Sequence, residues 1–153
     1  MKPYLDTNFL LRLYLDFEET EGALERIARL SGRTRPFPIT WLHEIEMANA
    51  LELVVYQMRR GSGSRLTPEM SAVALTGFDA DVATGRGLAR AVLPTDELTR
   101  AARQLSARHT AAGGYRAYDI IHVASALCLK CDAFWSFDAK ASDLAKTEGL
   151  KAL

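Results

Sequence analysis

The chain has 153 residues, 48% of them hydrophobic and 25% charged, with nineteen basic side chains balancing nineteen acidic ones. That is the composition of an ordinary soluble domain with one sizeable core, and a single domain over residues 1–153 is the expectation. A formal net charge of zero excludes a global positive field, so any nucleic-acid binding needs a local patch.

No apolar stretch is long enough to span a bilayer. The first residues, "MKPYLD", lack the charged, apolar, small order of a signal peptide, so a cytoplasmic protein with no membrane association is expected. "PYLD" reads as a short buried strand, and "FLLRLYLDF" follows at helical spacing. In "ETEGALERIARLS", Ala23, Leu24, Ile27 and Leu30 fall on one face of an amphipathic helix that Gly32 closes. "RTRPFPIT" is a proline-punctuated loop leading into a second strand, Phe37 to Thr40.

"WLHEIEMANALELVVYQMRR" predicts a long helix from Trp41 to Arg60, stopped by "GSGS". A further helix starts with Thr67 as N-cap, Pro68 in the first turn and Glu69 beside it. "GLARAVLP" is a third strand, and Thr95 caps "DELTRAARQLSARHT" before an "AAGG" loop. "YDIIHVASALCLK" is helical, "AFWSF" is a fourth strand ending at Asp138, and "KASDLAKTEG" is a short closing helix. Alternating strands and helices favour a parallel sheet with helices on both faces, where ligands bind beyond the strands' carboxyl ends. Cys128 and Cys131 form a lone CLKC late in a helix, without the further ligands that zinc requires, and read as ordinary reduced cysteines.

Four acidic residues stand among apolar neighbours: Asp6 after "PYL", Glu46 in "WLHEIEMANAL", Asp119 before "IIHVASAL" and Asp138 after "AFWSF". Taken singly, each has a plain explanation. Asp6 and Asp138 cap helices, Asp119 sits in a helix first turn, and Glu46 lies exposed on a long helix. Taken together, two strand ends and two helix starts can meet at one sheet edge. Carboxylates gathered in one cleft repel one another unless a cation joins them. Oxygen donors suit Mg²⁺ or Mn²⁺, ions that polarise phosphoryl oxygens and activate water for in-line displacement. The chemistry this implies is phosphodiester hydrolysis. "LDTN" lacks the D-x-D order of a phosphate-transfer domain.

Four segments in order, "YLDTNFLL", "ITWLHEIEMANAL", "YRAYDIIHVASAL" and "FWSFDAKASDLAKTEGL", carry a resemblance over nearly the whole chain. The sequence resembles a PIN domain, and within that superfamily a VapC-type toxin ribonuclease. The resemblance implies a three-layer α/β/α fold around a central, mostly parallel sheet of four or five strands. It implies a metal-dependent endoribonuclease, the toxin of a type II toxin–antitoxin pair, with an RNA substrate, a cognate antitoxin and a homodimer. Carried over by motif, the catalytic and Mg²⁺- or Mn²⁺-binding residues are Asp6, Glu46, Asp119 and Asp138. Thr7, Asn8 and Ser136 match supporting polar positions, with Asn8 placed to orient Asp6 or Asp138. The alternative is a catalytically silent RNA- or protein-binding module on the same fold.

The second segment offers Glu44 and Glu46. Helical spacing favours Glu46, which shares a face with Leu42, Asn49 and Leu53. Asp143 reads as a solvated helix residue, although it lies near enough to Asp138 to extend the site. His122 shares a helix face with Asp119 and takes a packing role; His43 reads as a surface residue, and His109 lies near a helix C-terminus. RNA phosphates would meet local cations, for which Arg12, Arg116 and Lys140 are the candidates, while Arg59, Arg60 and Arg65 read as surface charges.

Overall fold

The structure is a computed structural model that describes residues 1–30, 36–61 and 66–153. In chain order its elements are β1 (Pro3–Leu5), α1 (Thr7–Tyr14), α2 (Thr20–Ala28), β2 (Phe37–Ile39), α3 (Trp41–Arg59) and α4 (Pro68–Thr84). They are followed by β3 (Leu88–Arg90), α5 (Thr95–Gly113), α6 (Ala117–Cys128), β4 (Ala133–Trp135), α7 (Ala139–Thr147) and β5 (Lys151–Ala152). The expected helix stop at Gly32, most of "GSGS" and Arg65 lie outside the described residues.

Among the described residues all strand pairing is parallel. β4 lies between β1 and β5 in one ladder, and β2 pairs with β3 in a second. In the first ladder Pro3, Tyr4 and Leu5 face Ala133, Phe134 and Trp135. The backbone N–H of Asp6 extends it by donating to the Trp135 carbonyl at 3.0 Å. Adjacent parallel strands in this register end together, so Asp6 and the segment 136–138 emerge at the same edge.

Side chains alternate across the strands and so divide the interior in two. Leu5, Ala133 and Trp135 pack with Phe9, Met47 and Phe78 from the helices α1 to α4. Tyr4 and Phe134 point the other way, onto Leu105, Val123 and Leu144 of α5 to α7. The result is the expected three layers. Each fully buried side chain of this size contributes about 1.5–3 kcal/mol of transfer free energy.

Several local features differ from the sequence reading. Pro94 takes the cap position of α5, and Thr95 is its first helical residue. α5 runs through Ala111 and Ala112, strong helix formers, and stops at Gly114, whose φ of 62° admits the left-handed turn. β5 has no counterpart in the reading because two residues show no periodicity. α2 also ends earlier than read, at Ala28 with Arg29 as its C-cap rather than at Gly32. At α4 the cap is as the sequence predicts: Thr67 Oγ1 accepts from the Met70 N–H, with Pro68 at the start of the helix. Among the described residues no helix is long and apolar enough to cross a membrane.

Candidate active site

Strand ends and helix starts meet in a cleft of about 620 Å³ whose lining includes Asp6, Glu46, Asp119 and Asp138. Each carboxylate is positioned by its local fold. Asp6 ends β1 and caps α1, its Oδ1 accepting from the Phe9 N–H at 2.9 Å. Asp138 follows β4 and caps α7, its Oδ1 accepting from the N–H groups of Lys140 and Ala141 at 2.8 and 3.3 Å. Asp119, in the first turn of α6, takes the Arg116 N–H on Oδ2 at 3.0 Å. The plain capping explanations therefore hold, and the same residues also face one another across the cleft.

Glu46 is not the exposed residue of a long helix. It accepts the Thr7 hydroxyl on Oε2 at 2.6 Å, and the same oxygen pairs with Nε2 of His122. Glu44 turns away and pairs with Arg90 of β3 at 2.8 Å, so the helix face selects Glu46 for the cleft.

His43 corrects the sequence reading most clearly. It is fully buried, and its Nε2–H donates to the Leu5 carbonyl at 2.8 Å while Nδ1 accepts the Thr40 N–H at 2.9 Å. Burial, with His122 nearby, pulls its pKa down to about 3, so the ring is neutral as this bonding requires. His43 thus hooks the start of α3 to the end of β1, and Glu46 lies one turn further along the same face.

His122 is buried on α6 and lines the cleft. Its Nδ1 is 2.9 Å from the Tyr4 hydroxyl, which burial keeps protonated by raising its pKa. The arrangement that serves every atom has Tyr4 donating to Nδ1 and Nε2–H donating to Glu46. His122 therefore packs, as expected, and also orients a carboxylate. Its i+3 spacing from Asp119 was the sequence signal for that second task.

The two best-placed carboxyls are tuned oppositely. Burial pushes Asp6 up to about 6, against the pull of His122, Ser136 and the Phe9 N–H, and Glu46 adds to the rise. Burial also raises Glu46, but His122 and Thr7 outweigh it and the net shift is downward.

Asn8 acts on the β4 end rather than on a carboxylate, whereas Ser136 acts both there and on the Asp6 carboxyl. Asn8 Oδ1 accepts the Phe137 N–H at 2.8 Å, and Ser136 Oγ accepts the Asp138 N–H at 2.8 Å. Asn8 thus does not bond Asp6 or Asp138 itself but fixes the turn that carries Asp138. Of the candidate cations, Arg116 lines the cleft and bonds both Asp119 and Asp138. Arg12 is taken up by Glu19 and the Asn8 carbonyl, with its guanidinium over Phe17 and Phe137. Lys140 donates to the Gly114 carbonyl at 3.1 Å. Neither lines the cleft. Asp143 is exposed on α7 outside the lining, and His109 pairs with Glu148. The cysteines are free, and burial pushes the Cys131 thiol up to about 11.

An all-oxygen donor set drawn from four carboxyl groups suits a hard divalent cation. The guanidinium already seated between Asp119 and Asp138 supplies one positive charge to this set. Among the described residues, no three such side chains stand close enough to hold an ion as they are. Holding an ion there would therefore require side chains to move.

A family model described as PIN domain matches residues 4–147, which includes all four carboxylates. None of the curated proteins matches the chain.

Proposed function

The chain belongs to the PIN domain family, and we propose that it is a metal-dependent endoribonuclease hydrolysing phosphodiester bonds in RNA. The PIN domain is a nuclease-type fold whose nucleases usually use divalent metal ions. The observation that carries the proposal is the meeting of Asp6, Glu46, Asp119 and Asp138 in one cleft from four separate chain segments.

In this reading the four carboxylates hold Mg²⁺ or Mn²⁺. The cation, when bound, supplies charge stabilisation at the phosphoryl oxygens and favours deprotonation of water. The chain's own side chains supply position. Thr7 and His122 fix the Glu46 carboxylate by two hydrogen bonds to Oε2. Ser136 and Asn8 fix the turn that carries Asp138. Backbone N–H groups at three helix starts hold Asp6, Asp119 and Asp138 at the cleft. Water adds to phosphorus, one P–O ester bond breaks, and two RNA fragments leave.

The likeness to VapC-type toxins extends the proposal to a toxin of a type II toxin–antitoxin pair, one domain over residues 1–153, working as a cytoplasmic homodimer with a cognate antitoxin. Exposed Trp41, Ile45, Leu53 and Tyr56 on α3, and Tyr118 at the cleft, support a partner surface on this side of the molecule.

The test is cleavage of a single-stranded RNA by purified protein with Mn²⁺, with EDTA, and with the variants Asp6→Asn and Asp119→Asn. Cleavage that needs the metal and is lost in both variants supports the proposal. Variants that cut as fast as the wild type contradict it. RNA binding without cleavage under any metal assigns the silent binding module instead.

A further inference from the structure

Arg116 Nη2 lies 3.1 Å from Asp119 Oδ1 and 2.8 Å from Asp138 Oδ2, and Nε lies 3.2 Å from Asp119 Oδ2. One guanidinium thus joins a carboxylate at the start of α6 to one at the start of α7. The Arg116 side chain is 65% exposed, whereas Asp119 is 7% and Asp138 30% exposed. The carboxylates do not depend on the guanidinium for their placement. Asp119 Oδ2 is held by the Arg116 backbone N–H, and Asp138 Oδ1 by two N–H groups of α7. Asp119 Oδ1 and Asp138 Oδ2 share the one Nη2 group, and both residues line the cleft.

We propose that Arg116 is a tethered counter-cation: it sits between Asp119 and Asp138 in the metal-free protein and must release them before a divalent ion joins them. The inference rests on the metal-dependent reading of the cleft. Without a cation there, two carboxylates facing one cleft with Asp6 and Glu46 would repel. Arg116 relieves that repulsion from within the chain. Its hold is easily given up, because an exposed ion pair is weak and screened by salt. The Arg116 backbone is fixed at the α6 cap, so release leaves the guanidinium at the cleft rim, where it meets an RNA phosphate in a two-pronged hydrogen bond. Metal loading and phosphate capture are then one exchange of partners.

The test measures Mn²⁺ binding by the electron paramagnetic resonance of free Mn²⁺, with wild type, Arg116→Gln and Arg116→Lys. Lysine keeps the charge but not the fork that spans two carboxylates. Both variants should bind Mn²⁺ about fivefold tighter, the strength of one exposed ion pair. In wild type, the ¹⁵N–¹H signal of Arg116 Nε should move to the position of an unpaired arginine on Mg²⁺ saturation. Equal affinity in all three proteins, with wild type binding Mn²⁺, overturns the inference and leaves the nuclease reading standing. A gain in Arg116→Gln alone reduces the effect to a field of charge and overturns the bridge. Weaker binding in either variant makes Arg116 a support for the ion and also overturns it. Absence of Mn²⁺ binding in all three removes the metal-dependent reading and the inference together.

Discussion

Thr7, the first residue of α1, donates its hydroxyl to Glu46 of α3 at 2.6 Å across 39 positions of sequence. The bond ties the helix that follows β1 to the helix that follows β2, at the level of the cleft. Thr7→Val keeps the shape and removes the donor. It should cost about 1 kcal/mol of stability and lower RNA cleavage about tenfold, the scale of an outer residue that orients a metal ligand. Thr7→Ser should restore most of the activity. Thermal melts and cleavage rates on the three proteins check this, and an unchanged rate in Thr7→Val would contradict the orienting role.

Asp6 gives a pH prediction. Burial lifts its pKa from 3.8 to about 6, so the native state holds this proton more tightly than the unfolded chain does. Between those values the folded state binds more protons, and the contribution of Asp6 to stability falls as pH rises through about 6. Near neutral pH the ionised group costs the metal-free protein roughly 2–3 kcal/mol. Asp6→Asn retains a good N-cap and removes the charge. In EDTA it should melt higher than wild type near neutral pH and equal to it in acid, while losing cleavage activity. A lower melting temperature for Asp6→Asn near neutral pH would count against the account.

Glu44 and Glu46 are two residues apart and should behave oppositely. Glu44 pairs with Arg90 in an ion pair whose two side chains are 35% and 63% exposed, so Glu44→Gln should leave cleavage unchanged within about twofold and stability within about 0.5 kcal/mol. Glu46→Gln should reduce cleavage by on the order of a hundredfold. Parallel rate measurements decide the assignment, and equal losses in both variants would refute it.

Much of this site was legible in the sequence because its signals are local. A carboxylate after an apolar run marks the end of a strand, as at Asp6 and Asp138, and helical spacing separates Glu46 from Glu44. What was not legible depends on contacts between distant segments. His122 meets Glu46 across 76 positions, and Arg116 meets Asp138 across 22. His43 looked exposed beside Trp41 because its partner, the Leu5 carbonyl, belongs to another element. Arg12 looked like a phosphate ligand from its nearness to Asp6, yet the α1 helix carries it around to Glu19 and two aromatic rings.

The cysteines should be bystanders. Burial raises both thiols, Cys131 up to about 11, so little thiolate forms near neutral pH. A double Cys128→Ser, Cys131→Ser variant should cleave RNA at the wild-type rate. Cys131 in the native wild type should react with a thiol reagent only slowly, and quickly once unfolded. Loss of cleavage in the folded double variant would assign the pair a task that this account does not give it.

The central claim is that the carboxylate cleft cuts RNA only with a divalent cation. The most direct measurement is the cleavage rate of a fluorescent single-stranded RNA as Mn²⁺ is titrated into metal-free wild type and metal-free Asp119→Asn. The account predicts a rate that rises from background and saturates in the wild type, with no rise in the variant. A metal-independent rate in the wild type, or an equal rise in both proteins, would contradict it.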